Sequence, residues 1–229
     1  MTTILRFFGA LAILPLLSIS IAAHAAAAPF VSACPPAADG RADCATVIAK
    51  DAGQKAPFDT PVGLTPAQLL KAYNLPGTAA ATSTPIIAVV SAFDAPTIAA
   101  DLRHYSEVMG IPSLAACKGD IRESPVPCFK KVDQRGGPDF AASTAWAAGT
   151  SLKVESAHAI CQNCSILLVE ADDNWSTNDF AAIVEATELG AQYVDIGFDV
   201  HTTESKSLYD QWDPIFDHPD VAFVAPEGE

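Results

Sequence analysis

The sequence predicts an α/β fold, a doubly wound parallel sheet with helices on both faces. Helix and strand patterns alternate from residue 141 onward, which is typical of crossovers between parallel strands. Strands such as SILLVEA at 165–171 are largely apolar, as strands covered on both faces are. Half of the 229 residues are hydrophobic and 17% are charged, so the chain can bury a sizeable core. The alternation stops after a strand at 221–225, which predicts a sheet that is incomplete at its C-terminal end.

The first half of the chain supplies the opening elements. LTPAQLLKAYNLP at 64–76 indicates a short helix, with Thr65 as its N-cap and Pro66 in its first turn. PIIAVVSA at 85–92 is a β-branched run typical of a buried strand, and the amphipathic segment 95–110 predicts a helix closed by glycine. The other predicted elements are a short strand at 128–134, helices at 141–159, 177–189 and 204–217, and strands at 165–171, 192–198 and 221–225.

The N-terminus has the pattern of a secretory signal peptide. Arg6 precedes an apolar run at 7–22, and Ala23-His24-Ala25 fits a cleavage site between small residues. We therefore expect residues 1–25 to be removed and the mature protein to be secreted, extracellular or periplasmic, with no membrane attachment. A short membrane anchor is the less favoured alternative, because the apolar run is short for a spanning helix.

The six cysteines agree with an oxidising compartment and fall into three close pairs. Sequence alone permits about 15 connectivities, but local pairing closes the fewest long loops. A redox or zinc motif is the alternative for the C-x-x-C pair, but a zinc site needs two further ligands and no second C-x-x-C exists. The predicted disulfides are Cys34–Cys44, which clips a loop-like leader at 26–62, Cys117–Cys128 and Cys161–Cys164.

The net charge of −14 argues against nucleic acid as a partner, because phosphate binding requires a basic surface. An excess of carboxylates suits a secreted protein that must stay soluble.

Several stretches together resemble the sedolisin family, the serine-carboxyl peptidases with a subtilisin-like fold. Their order and spacing are consistent from Gly63 to Glu229. The resemblance implies that residues 63–229 are the N-terminal part of a sedolisin-like peptidase domain, with a subtilisin-like version of the doubly wound sheet. The resembling stretches are GLTPAQLLKAYNLP, IIAVVSAFDAPTIAADLRHYSEVMGIP, CFKKVDQRGG, WAAGTSLKVESAHAI, CSILLVEA and HPDVAFVAPEGE.

The resemblance also implies what the site residues would be. In the family a helical glutamate is the general base for a serine nucleophile, and an aspartate four residues later, on the same helix face, orients it. Another aspartate stabilises the oxyanion. These three positions fall on Gly149, Lys153 and Glu229, so none of the catalytic positions is intact. The strand end that grips substrate backbone in the family falls on Gly197, Phe198 and Asp199, which are the candidate groove residues.

The family's nucleophile and calcium ligands would lie beyond Glu229, so no cofactor or metal is expected in this chain. Three interpretations stay open. The chain is an inactive serine-type peptidase homologue, a non-catalytic secreted binder of peptides or of a related peptidase, or the product of a truncated gene.

Other polar residues have simpler interpretations. Glu155 and His158 belong to the family pattern as structural residues near the end of a helix. Glu170, Asp172 and Asp173 form an acidic run at a strand end, which predicts solvated loop charges rather than a metal site.

Two further pairs have similar interpretations. Ser151 and Ser156 are expected to be small packing residues, because no base is spaced to serve either one. Asp94 and Asp101 are expected to be charges that favour the N-terminal end of a helix.

Overall fold

The computed structural model describes residues 30–38, 40–49, 63–75, 84–200 and 210–226. Its centre is a six-stranded sheet in the order β10-β8-β4-β7-β6-β5, and every neighbouring pair of strands is parallel. The α/β class with a parallel sheet is therefore confirmed. The strands of this sheet are β4 (Ile86–Ala92), β5 (Ala115–Ala116), β6 (Cys128–Asp133), β7 (Ser165–Ala171), β8 (Tyr193–Ile196) and β10 (Ala222–Val224).

Helices cover both faces of the sheet, as predicted. Because successive side chains of a strand point to opposite faces, the apolar strands feed two separate cores. Val90 and Leu167 pack with the helix α4, whereas Val89 and Leu168 pack with α2 and α3. In the described ranges the main helices are α1 (Pro66–Ala72), α2 (Ile98–Met109), α3 (Ala147–Ile160) and α4 (Ser176–Glu188).

The helix ends follow local chemistry. Thr65 and Gln68 form a capping box at the start of α1, so two otherwise unpaired backbone N–H groups are satisfied. Gly110 ends α2 with φ 67°, a left-handed conformation that a residue with a side chain rarely adopts.

The start of α3 differs from the prediction, because the helix begins at Ala147 rather than at residue 141. The carbonyl oxygen of Ser143 accepts the N–H of Asp94 (2.9 Å), which fixes this segment against the end of β4 instead of within a helix. Serine and threonine hydrogen-bond locally in non-helical conformations, so AASTAW is a weak helix start.

The leader is more regular than its sequence indicates. The strands β1 (Phe30–Ser32) and β3 (Val47–Ala49) pair antiparallel. Between them, β2 (Ala42–Asp43) pairs antiparallel with β9 (Asp199–Val200), which follows β8 in the chain. Strands of two or three residues are too short to show a period, which is why the sequence predicts only a loop.

The predicted helix at 204–217 lies partly outside the described residues. Within the described part, residues 210–212 are α-helical, as predicted, and Asp213–Phe216 continues as a 3₁₀ turn. Trp212 beside this turn stacks on Phe180 of α4 with ring centroids 4.4 Å apart.

All three predicted disulfides are confirmed. Cys34–Cys44 and Cys117–Cys128 close short segments of the chain, and Cys161–Cys164 links the end of α3 to the start of β7. Among the helices of the described residues, none is long and apolar enough to cross a membrane.

Candidate functional site

The candidate site lies where the central strands of the parallel sheet end. β4, β7 and β8 run side by side in the same direction, so their carboxyl ends meet at one edge. In open parallel sheets this edge is where side chains and helix N-termini converge to build binding sites. The first turns of α3 and α4 lie there, and α3 carries both Gly149 and Lys153.

Gly149 is buried against the leader. A Cβ atom built on Gly149 would lie 3.0 Å from Oγ1 of Thr46 and 3.7 Å from Sγ of Cys44. The space that a longer side chain would need at this helix position is therefore filled by residues of the leader.

Lys153 lies one turn further along α3 and is partly buried. Its ammonium group donates a hydrogen bond to the carbonyl oxygen of Gly197, and its Nζ lies 5.6 Å from the ring centroid of Trp146. Burial lowers the pKa of Lys153 to about 8, although the charges of Asp195 and Asp179 oppose the shift.

Those two carboxyl groups are a feature that sequence reasoning missed. Asp179, in the first turn of α4, is 0% exposed, and neither of its carboxyl oxygens has a hydrogen-bond partner among the described residues. Burial raises the pKa of Asp179 to about 8, with Asp173 adding to the shift and Lys153 opposing it. Burial also raises the pKa of Asp195, again against the charge of Lys153.

A signal for one of them was present in the sequence. Asp195 interrupts the apolar strand QYVDIGF, and a carboxyl group inside a buried strand requires an explanation. Asp179 gave no such signal, because an acidic residue in the first turn of a helix is ordinary.

The predicted groove residues contact the chain itself in this structure. The Gly197 carbonyl accepts from Lys153, Phe198 is 3% exposed within the core, and Asp199 pairs with Asp43 of β2. Their role in holding a substrate stays a prediction. Glu229, the predicted oxyanion position, lies outside the described residues.

One hydroxyl on α3 does reach a carboxylate. Ser151 Oγ lies 3.4 Å from Oδ2 of Asp101 on α2, a long contact to an oxygen that Thr97 also contacts at 2.7 Å. Burial and the neighbouring Asp101 raise the pKa of Glu155 to about 7. The sequence did not predict the contact between Ser151 and Asp101, because these residues belong to different helices.

A second hydroxyl pair lies deeper, between α3 and β4. Thr150 Oγ1 and Ser91 Oγ are 2.7 Å apart and both residues are buried. Thr150 also donates to the carbonyl oxygen of Trp146 (3.1 Å). Among the described residues neither hydroxyl contacts a carboxylate, so this pair links the helix to the sheet.

His158 has the structural place predicted for it. The ring is buried, and Nε2 lies 2.7 Å from the carbonyl oxygen of Pro112. Burial lowers the pKa of His158, so the neutral ring is favoured.

The acidic residues at the end of β7 and just after it have separate partners. Glu170 is buried rather than solvated, and its carboxylate lies 3.1 Å from Nζ of Lys131 while accepting the N–H of Ala95. Lys131 also pairs with Asp94, so Asp94 is an ion-pair partner rather than only a helix-end charge. Burial raises the pKa of Glu170 to about 7, against the hydrogen bonds from Ala95 and Lys131.

The other two acidic residues lie in a hydrogen-bonded turn. Asp172 accepts from Arg135 at 2.7 Å. Asp173 accepts the N–H of Trp175 and the side chain of Asn178. Across the ranges that the structure describes, no group of three or more His, Cys, Asp or Glu residues could hold a metal ion.

Comparison with known proteins yields a distant structural neighbour. No protein-family model matches the sequence, and no curated protein matches it either. The solved structure of Pseudomonas sedolisin, a serine-carboxyl proteinase complexed with two molecules of pseudo-iodotyrostatin, is similar over 59% of this chain at 14% identity and a TM-score of 0.39. The match spans 35% of the sedolisin chain, and the likeness concerns the fold at most.

Proposed function

We propose that this chain is a secreted, catalytically silent homologue of serine-type peptidases of the sedolisin kind. The six resembling stretches, in consistent order from Gly63 to Glu229, support the relationship. The signal-like N-terminus and the three disulfides support an oxidising, extracytoplasmic location.

The observation that carries the proposal is the state of the two helix positions. Gly149 has no side chain to accept a proton, and the leader fills the adjacent space. Lys153 offers an ammonium group that is already bound to the Gly197 carbonyl. The positions that would hold a base and the residue that orients it therefore hold internal packing contacts.

The chemistry of a serine-type peptidase requires more than a scaffold. A hydroxyl attacks a peptide carbonyl only when a nearby base removes its proton. With a pKa of about 8, Lys153 is mostly protonated at acid and neutral pH, and its ammonium group is bound to the Gly197 carbonyl rather than to a hydroxyl.

The Ser151–Asp101 contact does not supply the missing machinery. Ser151 lies inside α3, where the backbone N–H groups around it are engaged in helix hydrogen bonds. An oxyanion requires free donors close to the attacked carbonyl, and an interior turn of a helix provides none.

A direct assay tests the proposal. The full mature chain is incubated with casein and with fluorogenic peptides from acid to neutral pH, beside an active acid peptidase as a positive control. We expect no turnover above buffer at any pH.

Two variants make the assay decisive. Ser151→Ala removes the α3 hydroxyl that contacts a carboxylate, and Lys153→Met removes the ammonium group while keeping a long side chain. Reproducible turnover by the parent chain that disappears in either variant would show a catalytic site in this chain and overturn the proposal.

A further inference from the structure

A short segment of the leader lies across the carboxyl end of the sheet. We call residues 40–46 the strap. Its strand β2 adds antiparallel to β9, with Ala42 opposite Val200 and Asp43 opposite Asp199. The N–H of Ala42 donates to the carbonyl oxygen of Asn174 (2.7 Å), and the amide of Asn174 donates back to the carbonyl oxygen of Ala42 (2.7 Å). The strap is therefore bound through its backbone, as an added β-strand is.

The beginning of the strap is anchored by its side chains. The guanidinium of Arg41 lies 4.4 Å above the ring of Trp175, and its Nη1 donates to Oδ1 of Asn174 (2.8 Å). Gly40 adopts φ 76°, and a Cβ there would lie 3.1 Å from the Trp175 ring. The turn that brings Arg41 over Trp175 thus favours glycine at this position.

The far end of the strap is buried on α3. Cys44 is 0% exposed and Thr46 is 6% exposed, and both face Gly149. Ala42 is also 0% exposed, so the strap contributes core residues rather than surface contacts. The disulfide Cys34–Cys44 holds this end of the strap to the rest of the leader.

We propose that residues 40–46 are a built-in strap that closes the carboxyl end of the sheet, and that Gly149 is the residue that admits it. A Cβ at position 149 already crowds Oγ1 of Thr46, so a side chain longer than a methyl group and the docked strap require the same space. Gly149 is then required for docking of the leader, and it is also the position at which the general base of the family is missing.

The strap also covers Asp199, one of the predicted groove residues, where an extended peptide is expected to pair. An incoming peptide strand would pair with the backbone groups of β9, and β2 already occupies them. The backbone groups of β9 are thus covered by this chain's own leader. A silent homologue needs no strap, and a strap can cover an active or an inactive site, so the docking of the strap is independent of the proposed loss of activity.

The test opens the strap with a wedge. In the full mature chain, Gly149→Leu places a side chain where Thr46 and Cys44 pack. Ala148→Leu is the matched control, because it places the same leucine side chain on the exposed side of α3. Trypsin cleavage after Arg41 and hydrogen exchange of the Ala42 amide report on the strap, and exchange of the Val89 amide reports on the central sheet.

The cleavage assay requires one precaution. Cleavage after Arg41 falls between the bonded residues Cys34 and Cys44, so the two products stay linked. The digest is therefore quenched before reduction, and mass spectrometry then measures the fragment that begins at Ala42.

We expect Gly149→Leu to raise both strap readouts roughly tenfold or more over the parent chain, because proteolysis and exchange follow the population of the open form. We expect Ala148→Leu to match the parent, and the Val89 amide to keep its protection in both variants. Unchanged cleavage after Arg41 in Gly149→Leu would overturn the proposal. Equal loss of protection at Ala42 and Val89 would also overturn it, because the strap would then open only when the whole domain unfolds.

A second variant tests the other anchor of the strap. Asn174→Ala removes the amide that binds both Arg41 and the Ala42 carbonyl, without any wedge on α3. We expect the same selective rise in cleavage after Arg41. A parent-like rate would contradict the assignment of Asn174 as an anchor and, with it, the proposed docking.

Discussion

Two lysines with little exposure lie near the same edge of the sheet and have opposite surroundings. Lys131, on β6, forms ion pairs with Asp94 and Glu170 and donates to the carbonyl oxygen of Ala95. Lys153, on α3, donates to a backbone carbonyl, and no carboxylate oxygen among the described residues comes within ion-pair distance of it.

The two surroundings differ in what each buried charge contributes to the stability of the fold. A buried charge that is paired and hydrogen-bonded recovers much of its desolvation cost, whereas a buried charge without a close counter-ion does not. The Lys131 ion-pair group ties β6, β7 and the start of α2 together, whereas Lys153 fills space beside Gly197 at the cost of a lowered pKa.

Replacing Lys131 should have the largest effect. Lys131→Met leaves the carboxyl groups of Glu170 and Asp94 without their cation, and breaking such a buried pair costs about 3–5 kcal/mol. We expect the free energy of unfolding, measured by urea denaturation at about pH 9 where Glu170 is ionised beside Lys131, to fall by up to that amount. The loss should shrink at acid pH, because Glu170 can then take up a proton.

The matched variant is Lys153→Met. It removes a desolvated ammonium group and costs the Gly197 carbonyl a donor, and these effects oppose each other. We expect a change of at most about 1 kcal/mol in either direction. A loss as large as that of Lys131→Met would show that Lys153 holds a structural ion pair, and the contrast between the two lysines would disappear.

The pH dependence of stability should be the next largest effect. The folded chain raises the pKa of Asp179 to about 8 and those of Glu155 and Glu170 to about 7, so it binds more protons than the unfolded chain from about pH 4 to about pH 8. Stability should therefore fall as pH rises through this range. Above about pH 8 the sign reverses, because the lowered pKa of Lys153 makes the unfolded chain the better proton binder.

Substitution of Asp179 tests the source of this slope. Each unit of pKa shift corresponds to about 1.4 kcal/mol, so the effect of Asp179 should amount to a few kcal/mol between pH 4 and pH 8. Asp179→Asn should flatten the dependence of the melting temperature on pH. Asp139→Asn is the control, because the Asp139 side chain is 93% exposed and should leave the slope unchanged. An unaltered slope in Asp179→Asn would assign the proton uptake to other groups.

The sequence predicted what depends on local pattern. Apolar runs predicted the strands β4 and β7. The close spacing of the cysteines predicted Cys117–Cys128 and the other two disulfides. The resemblance directed attention to Gly149 and Lys153, and both lie at the carboxyl edge of the sheet.

What the sequence could not predict depends on contacts between distant segments. Thr46 and Gly149 are about a hundred residues apart, and no periodicity connects them. The burial of Asp179 likewise depends on how α4 and the end of β8 pack, so an ordinary first-turn residue became a buried carboxyl group with a raised pKa. Local patterns carry the elements of this fold, whereas tertiary packing decides the chemistry of the site.

The smallest expected effect is that of a substitution at Gly149, which lies one turn before Lys153 on α3. Gly149→Ala should gain about 1 kcal/mol of helix propensity, but its Cβ would lie 3.0 Å from Thr46 Oγ1 and crowd the strap. We therefore expect a net change in the free energy of unfolding below about 1 kcal/mol. Ala148→Gly, on the exposed side of the same helix turn, calibrates the propensity difference alone. If Gly149→Ala gains as much free energy of unfolding as Ala148→Gly loses, then Thr46 does not crowd a side chain at position 149. The space beside Lys153 is then not filled by the leader.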